Sequence, residues 1–141
     1  MRYRVVAVGR LRDAALRAAA DGYLERLRRY TRVEEQEVKD EARILDAIPE
    51  GTRLVALSRT GQQWTSPQLA EWTARWEQDA RDVTFAIGGA DALPARVLEQ
   101  AERVWCFSQL TFPHELARVI LYEQLYRAYT IRRGEPYHRG P

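Results

Sequence analysis

Side chains able to do chemistry are few in this chain. It holds two histidines, His114 and His138, and one cysteine, Cys106. His138 stands in the terminal run EPYHRG (135–140), between Tyr137 and Arg139. An imidazole titrates near neutral pH and can accept a proton, directly or through water. A tyrosine can stack on a base or hydrogen-bond to it, and an arginine can grip a phosphate or offset negative charge. Chain ends usually fray. This tail is therefore either an idle end or a segment that is tied down and takes part in a reaction.

Two internal segments carry the remaining signal, IGGADALP (87–94) and SQLTFPHE (108–115). Gly88 and Gly89, directly after an apolar run, let the backbone approach a ligand closely, although a simple tight turn would explain them equally well. Ser108, Gln109 and Thr111 alternate with apolar Leu110 and Phe112, followed by Pro113 and His114. Backbone groups on such a loop can hold a purine-sized ligand without charged side chains. His114 opens a helix, where it either caps or packs, or else helps to position a substrate. Several sites are excluded. There is no GxxxxGK[ST] phosphate loop, no three-glycine dinucleotide fingerprint and no GxSxG elbow. One cysteine and two distant histidines cannot form a conventional zinc site.

These segments need a scaffold, and the apolar pattern supplies one. Short apolar runs at 3–8, 53–58, 83–87 and 103–108 read as strands, and the more polar 33–38 as a strand at a sheet edge. Amphipathic stretches lie between them. Asp13 caps a helix whose stripe is Leu16, Tyr23, Leu24, Leu27 and Tyr30. A short helix covers 41–48. Ser66 as cap, with Pro67 at the first position, opens another, carrying Leu69, Trp72, Thr73 and Trp76. A short helix follows Pro94, and a long one runs from Pro113 to about Arg133. Residues 59–64 read as a polar loop in which Trp64 can reach the surface.

Alternation of apolar strands with helices predicts an α/β fold, a parallel-rich sheet covered on both faces. Ligands of such sheets bind beyond the carboxyl ends of the strands, so the turns after Leu57, Ile87 and Ser108 matter most. In the last helix the polar residues Glu115, Arg118, Glu123, Gln124 and Arg127 spread around more than half of the circumference. That pattern predicts protein on two sides, hence a homodimer. At 141 residues the chain makes one domain, residues 1–141. Its 45% hydrophobic and 30% charged residues suit a globular protein. No apolar run is long enough to cross a bilayer, and one cysteine makes a reducing cytoplasm the default. A net charge of +2 permits an acidic partner without demanding one.

Read in order, VAVGR, TSPQLAEW, IGGAD, LTFPHELARVILYEQLYRAYTI and PYHRG are similar to the RlmH family of SPOUT-class methyltransferases, across essentially the whole chain. Between Val38 and Ile44 the chain is shorter than many members, and Ala92 stands where glycine is common. The resemblance implies a C-terminal trefoil knot and transfer of methyl from S-adenosylmethionine to N3 of a pseudouridine in 23S ribosomal RNA, on the assembled ribosome and without a metal. It places the cofactor against Leu57, Gly89, Ser108, Gln109, Leu110, Thr111, Phe112 and Pro113. Tyr137, His138 and Arg139 become catalytic, roofing the cofactor pocket of the other subunit. His114, Arg127, Arg132 and Arg133 form a basic lip for RNA. A non-catalytic RNA- or ribosome-binding factor on the same scaffold is the alternative.

Overall fold

A computed structural model describes residues 1–140. Five strands form one sheet: β1 (Arg2–Val8), β2 (Arg32–Val38), β3 (Arg53–Gln63), β4 (Val83–Ile87) and β5 (Arg103–Cys106). Their order is β2-β1-β4-β3-β5 and every pairing is parallel. Parallel neighbours need crossovers, which α1 (Ala14–Leu27), the short α2 (Ile44–Ala47), α3 (Ser66–Asp79) and α4 (Ala95–Gln100) provide before the final α5 (His114–Arg133).

Side chains alternate across β1. Tyr3, Val5 and Ala7 join a core with Leu24 and Leu27 of α1, Leu69 and Trp76 of α3, and Leu121 and Leu125 of α5. Val6 faces the other way, with Ala56, Ala86, Ile44 and Val97 beneath α2 and α4. Both faces are thus covered, which explains why β4 is buried at all five positions. β2 lies at an edge, and its pattern of exposed and buried residues explains its polarity.

Three local features differ from the sequence-based expectation. The polar segment 59–63 continues β3. After a bulge beyond Leu57, Gln62 and Gln63 pair with Trp105 and Cys106. Gly61 permits this, since a Cβ there would lie 2.4 Å from the Val104 carbonyl oxygen. Thr65, not Ser66, caps α3 through a capping box with Gln68, while the Ser66 hydroxyl donates to Gln124 Oε1 at 2.7 Å. Trp64 packs inward, stacking on Trp105 with centroids 4.9 Å apart.

The polar residues of α5 also find partners within the chain. α5 packs against both α1 and α3. Arg118, only 2% exposed, donates to Glu37 Oε2 at 2.6 Å and to the Gly9 carbonyl at 2.7 Å. Glu115 Oε1 accepts from the backbone N–H groups of Arg12 and Asp13. Their spread around the helix is therefore satisfied inside one subunit, and a second protein face does not follow from it.

Candidate active site

The bulge of β3 after Leu57 and the turns beyond the carboxyl ends of β4 and β5 enclose a cavity of about 420 Å³. Leu57 precedes the first of these segments, Gly88 and Gly89 begin the second, and Ser108, Leu110, Thr111 and Phe112 form the third. His114 and Ala117, on the first turn of α5, close one side. The volume and mainly apolar walls suit a ligand of nucleoside size. The GG pair is needed for tight packing. A Cβ on Gly88 would lie 2.8 Å from the Asp91 carbonyl oxygen, and one on Gly89 would lie 2.9 Å from Val8 Cγ1. At the rim, Leu110 is 70% exposed, the one large hydrophobic side chain in that state among the described residues.

Of the residues expected at this site, Gln109 is exposed and Pro113 caps α5. Neither side chain lines the cavity. Sequence reasoning missed Arg59 and Asp91, which bring opposite charges to the wall; Trp105, a buried core residue, also borders the cavity. Their positions directly after or within strands that feed the cavity were the available signal. Cys106 also borders the cavity, but is buried and donates its thiol to the Ser108 carbonyl at 3.0 Å.

The tail occupies a different place. Gly134, in the left-handed region at φ 66°, ends α5 and turns the chain back along it. The hydroxyl of Tyr137 donates to Glu123 Oε2 at 2.7 Å, and its ring packs edge-on against Tyr126. Arg127 lies over the Tyr137 ring and donates to Glu123 Oε2 at 2.7 Å. Burial, then Glu123, pushes the Tyr137 phenol above its ordinary range, so it remains a donor at neutral pH.

Arg127 Nη1 also lies 3.2 Å from His138 Nδ1. A guanidinium can only donate. Nδ1 therefore accepts, and the neutral ring carries its proton on Nε2. That atom is buried without a protein partner. The sequence suggests a proton acceptor at His138, whereas this geometry presents a buried donor. Arg139 is exposed at the end of the cluster.

Cavity and tail use successive stretches of α5: no tail residue lines the cavity, and Glu123, the hub of the tail, lies six positions beyond Ala117, roughly 9 Å along the helix axis. Of the other arginines expected to contact RNA, Arg132 is held by Glu77 at 2.8 Å, while Arg133 lies over the Tyr30 ring at 5.2 Å and makes no ion pair among the described residues. No group of three His, Cys, Asp or Glu side chains that could hold a metal occurs among the described residues, and no helix there is long and apolar enough to cross a membrane.

Comparison with known proteins agrees with this architecture. Residues 1–138 match the family described as "Predicted SPOUT methyltransferase". Proteins named ribosomal RNA large subunit methyltransferase H align over 99% of the chain. The protein from Gloeobacter violaceus is 44% identical, with all of its length covered, and that from Anaeromyxobacter sp. is 43% identical, also covered in full. Among solved structures, a probable methylase family protein from Haemophilus influenzae superposes with a TM-score of 0.63 over 98% of this chain and 70% of its own, at 9% identity. The strand order, the cavity at the β3 bulge and two strand ends and the full-length matches lead to one assignment: the chain belongs to the SPOUT methyltransferase family, an enzyme family that requires a methyl donor.

Proposed function

We propose that the protein uses S-adenosylmethionine to methylate N3 of a pseudouridine in 23S ribosomal RNA within the assembled ribosome. The supporting observation is the cavity of about 420 Å³ at the β3 bulge and the ends of β4 and β5, on a chain that aligns over its whole length with ribosomal RNA large subunit methyltransferases H. Leu57, Gly89, Ser108, Leu110, Thr111 and Phe112 would hold the donor, with Gln109 and Pro113 shaping the same turn through their backbone. The mainly apolar walls fit an adenosine, and the small polar side chains of Ser108 and Thr111 fit its hydroxyl groups. When bound, S-adenosylmethionine supplies an electrophilic methyl group. The family's C-terminal trefoil knot belongs to this reading.

The protein's own groups prepare the nucleophile. N3 must lose its proton before attack, and the charge spreads onto the flanking carbonyl oxygens. His138 Nε2–H, oriented through Nδ1 by Arg127 and uncovered as the tail meets the substrate, donates to one of those oxygens as the N3 proton leaves to water. Tyr137 supports the base, and Arg139 and Arg127 balance the negative charge nearby. His114 positions the RNA from the cavity side.

In its own subunit the tail is folded back on Glu123 and Arg127 and lines no part of the cavity. On this reading the active protein is a homodimer in which each tail serves the other subunit. Recognition of a shaped particle fits a protein this small, whose arginines Arg127 and Arg132 are already paired.

The test is transfer of radiolabelled methyl to ribosomes from a strain lacking the enzyme, with isothermal titration of the donor alongside. Transfer to ribosomes with little to free hairpin RNA is expected. Equal transfer to both would defeat the ribosome claim. Absence of donor binding would defeat the enzyme and favour a non-catalytic ribosome-binding factor. His138→Gln, which keeps an N–H donor, should retain more activity than His138→Ala. Equal loss in the two variants would count against the donor role.

A further inference from the structure

The turn joining α1 to β2 lies at the amino-terminal edge of the sheet, opposite the cavity, and packs against the last turn of α5. Two concavities meet there. One of about 480 Å³ is walled by Arg28, Arg29 and Arg32, the other of about 270 Å³ by Arg132 and Arg133, and both share Tyr30 and Glu77.

The local carboxylates are already engaged. Glu77 accepts from Arg132 and from the Tyr129 hydroxyl, which together hold its carboxyl below the usual range. Glu135 accepts from the Tyr30 hydroxyl at 2.5 Å. Arg28 spends its guanidinium on the Val33 carbonyl. Arg29, Arg32 and Arg133 are exposed and form no ion pair among the described residues. Three guanidinium groups without a contact ion pair thus line one rim, with the Arg133 charge partly offset by Glu77 and its guanidinium lying over the Tyr30 ring. Tyr30 is already covered by Tyr129 and Arg133, so the rim offers no base platform; fork-shaped cations spaced along it match a chain of phosphates, and match a single small anion less well.

The Tyr30–Glu135 bond matters for placement. Glu135 lies two residues before Tyr137, so the turn is tied to the start of the tail. Whatever the tail approaches, this rim approaches with it.

We propose that Arg29, Arg32 and Arg133 form a phosphate-binding lip that grips the ribosomal RNA backbone beside the methylation target, and that it serves the partner subunit's cavity. This rests on the reading that the tail acts in trans. The lip extends the RNA footprint to α1 and β2, elements that contribute nothing to the donor cavity.

The experiment compares the wild-type protein, the charge-reversed Arg29→Glu/Arg32→Glu variant and the charge-keeping Arg29→Lys/Arg32→Lys variant. Charge reversal should lower kcat/KM on ribosomes about tenfold or more, through KM, and reduce the dependence of log affinity on log salt by roughly 0.7–0.9 per lost phosphate contact. Donor affinity should be unchanged, which also shows that the variant is folded. The lysine pair should keep most of the activity. Each protein is also sedimented with ribosomes at graded salt, so the lip is read even where no methyl is transferred. Unchanged ribosome affinity on charge reversal overturns the lip. Absence of transfer by the wild-type protein, with salt-sensitive binding intact, overturns the methylation reading instead.

Mixed dimers settle which cavity the lip serves. With Thr111→Trp filling the cavity of one subunit and the charge reversal on the other, the intact cavity faces an intact lip, and activity should persist. With both changes on one subunit, activity should fall to the charge-reversed level. The opposite pattern overturns the trans assignment. A photo-crosslinker at Arg29 should label 23S RNA, and exclusive labelling of a ribosomal protein overturns the RNA assignment.

Discussion

The two halves of the candidate active site are built in different ways. The cavity is made by backbone: a strand bulge and two strand ends, a glycine pair too close to its neighbours to carry side chains, and apolar walls anchored in the sheet. Past Glu135, whose backbone N–H still bonds to the Thr130 carbonyl, the tail is held to α5 by side chains, with Glu123 as the hub for Arg127 and Tyr137, and Arg127 as the link to His138. Donor binding therefore belongs to the rigid half, and turnover depends on a half that can detach. Mutations should separate the two, and their ability to do so is the main test of this division.

The largest separation is expected from deleting residues 136–141. Methyl transfer should fall by at least the ~10²–10³-fold typical of losing a positioned donor. Isothermal titration should show unchanged donor affinity. Loss of donor binding in that variant would mean that the tail belongs to the cavity after all. Gly89→Val attacks the other half. Its side chain would collide with Val8 Cγ1 and with Glu41 Oε1, which lies 3.1 Å from the ideal Cβ. Donor affinity should collapse, with overpacking costing about 1–3 kcal/mol in urea unfolding.

A finer test lies within the tail. Glu123→Gln keeps the shape of the hub but removes the charge that Arg127 and Tyr137 share. A fall in kcat of about tenfold is expected, near 1.4 kcal/mol, with donor affinity unaltered. A matching loss of donor affinity would erase the distinction between the halves.

The same contrast governs what could be read from the sequence. The cavity was legible because short β-branched runs mark parallel strands, and the ends of such strands mark ligand turns. The extension of β3 was not, because RTGQQ has no apolar pattern and pairs only where Gly61 allows β5 to come close. Thr65 and Ser66 are both able caps. Gln68 three residues after Thr65 was the available clue to the box that formed. Arg118 misled, because its partner Glu37 is 81 positions away and no local spacing shows that a charge is buried and paired. The contact of Arg127 with His138 spans only 11 positions, yet it requires the reversal at Gly134 and inverts the role the histidine suggested.

The smallest effects should appear at alkaline pH, and they distinguish the halves once more. Tyr129 is pushed from 10.0 up to about 12, first by burial and then by its bond to Glu77. Tyr30 also rises to about 12, mainly through Glu135. Because the folded values are raised, the stabilisation is complete below pH 10 and is lost as pH climbs through about 12. Melting temperature should therefore decline over that window. Tyr129→Phe should flatten the decline, at a cost near neutrality of about 1–3 kcal/mol, because Glu77 and the buried Tyr3 hydroxyl both lose a partner. Tyr137 is shifted in the same direction by burial and Glu123. Its ionisation would set a phenolate against a carboxylate and release the tail. No tyrosine lines the cavity. As alkali is added, kcat should thus fall before donor affinity does; Tyr137→Phe should remove the share of that fall that Tyr137 carries and leave the share that comes from Tyr30 ionising against Glu135.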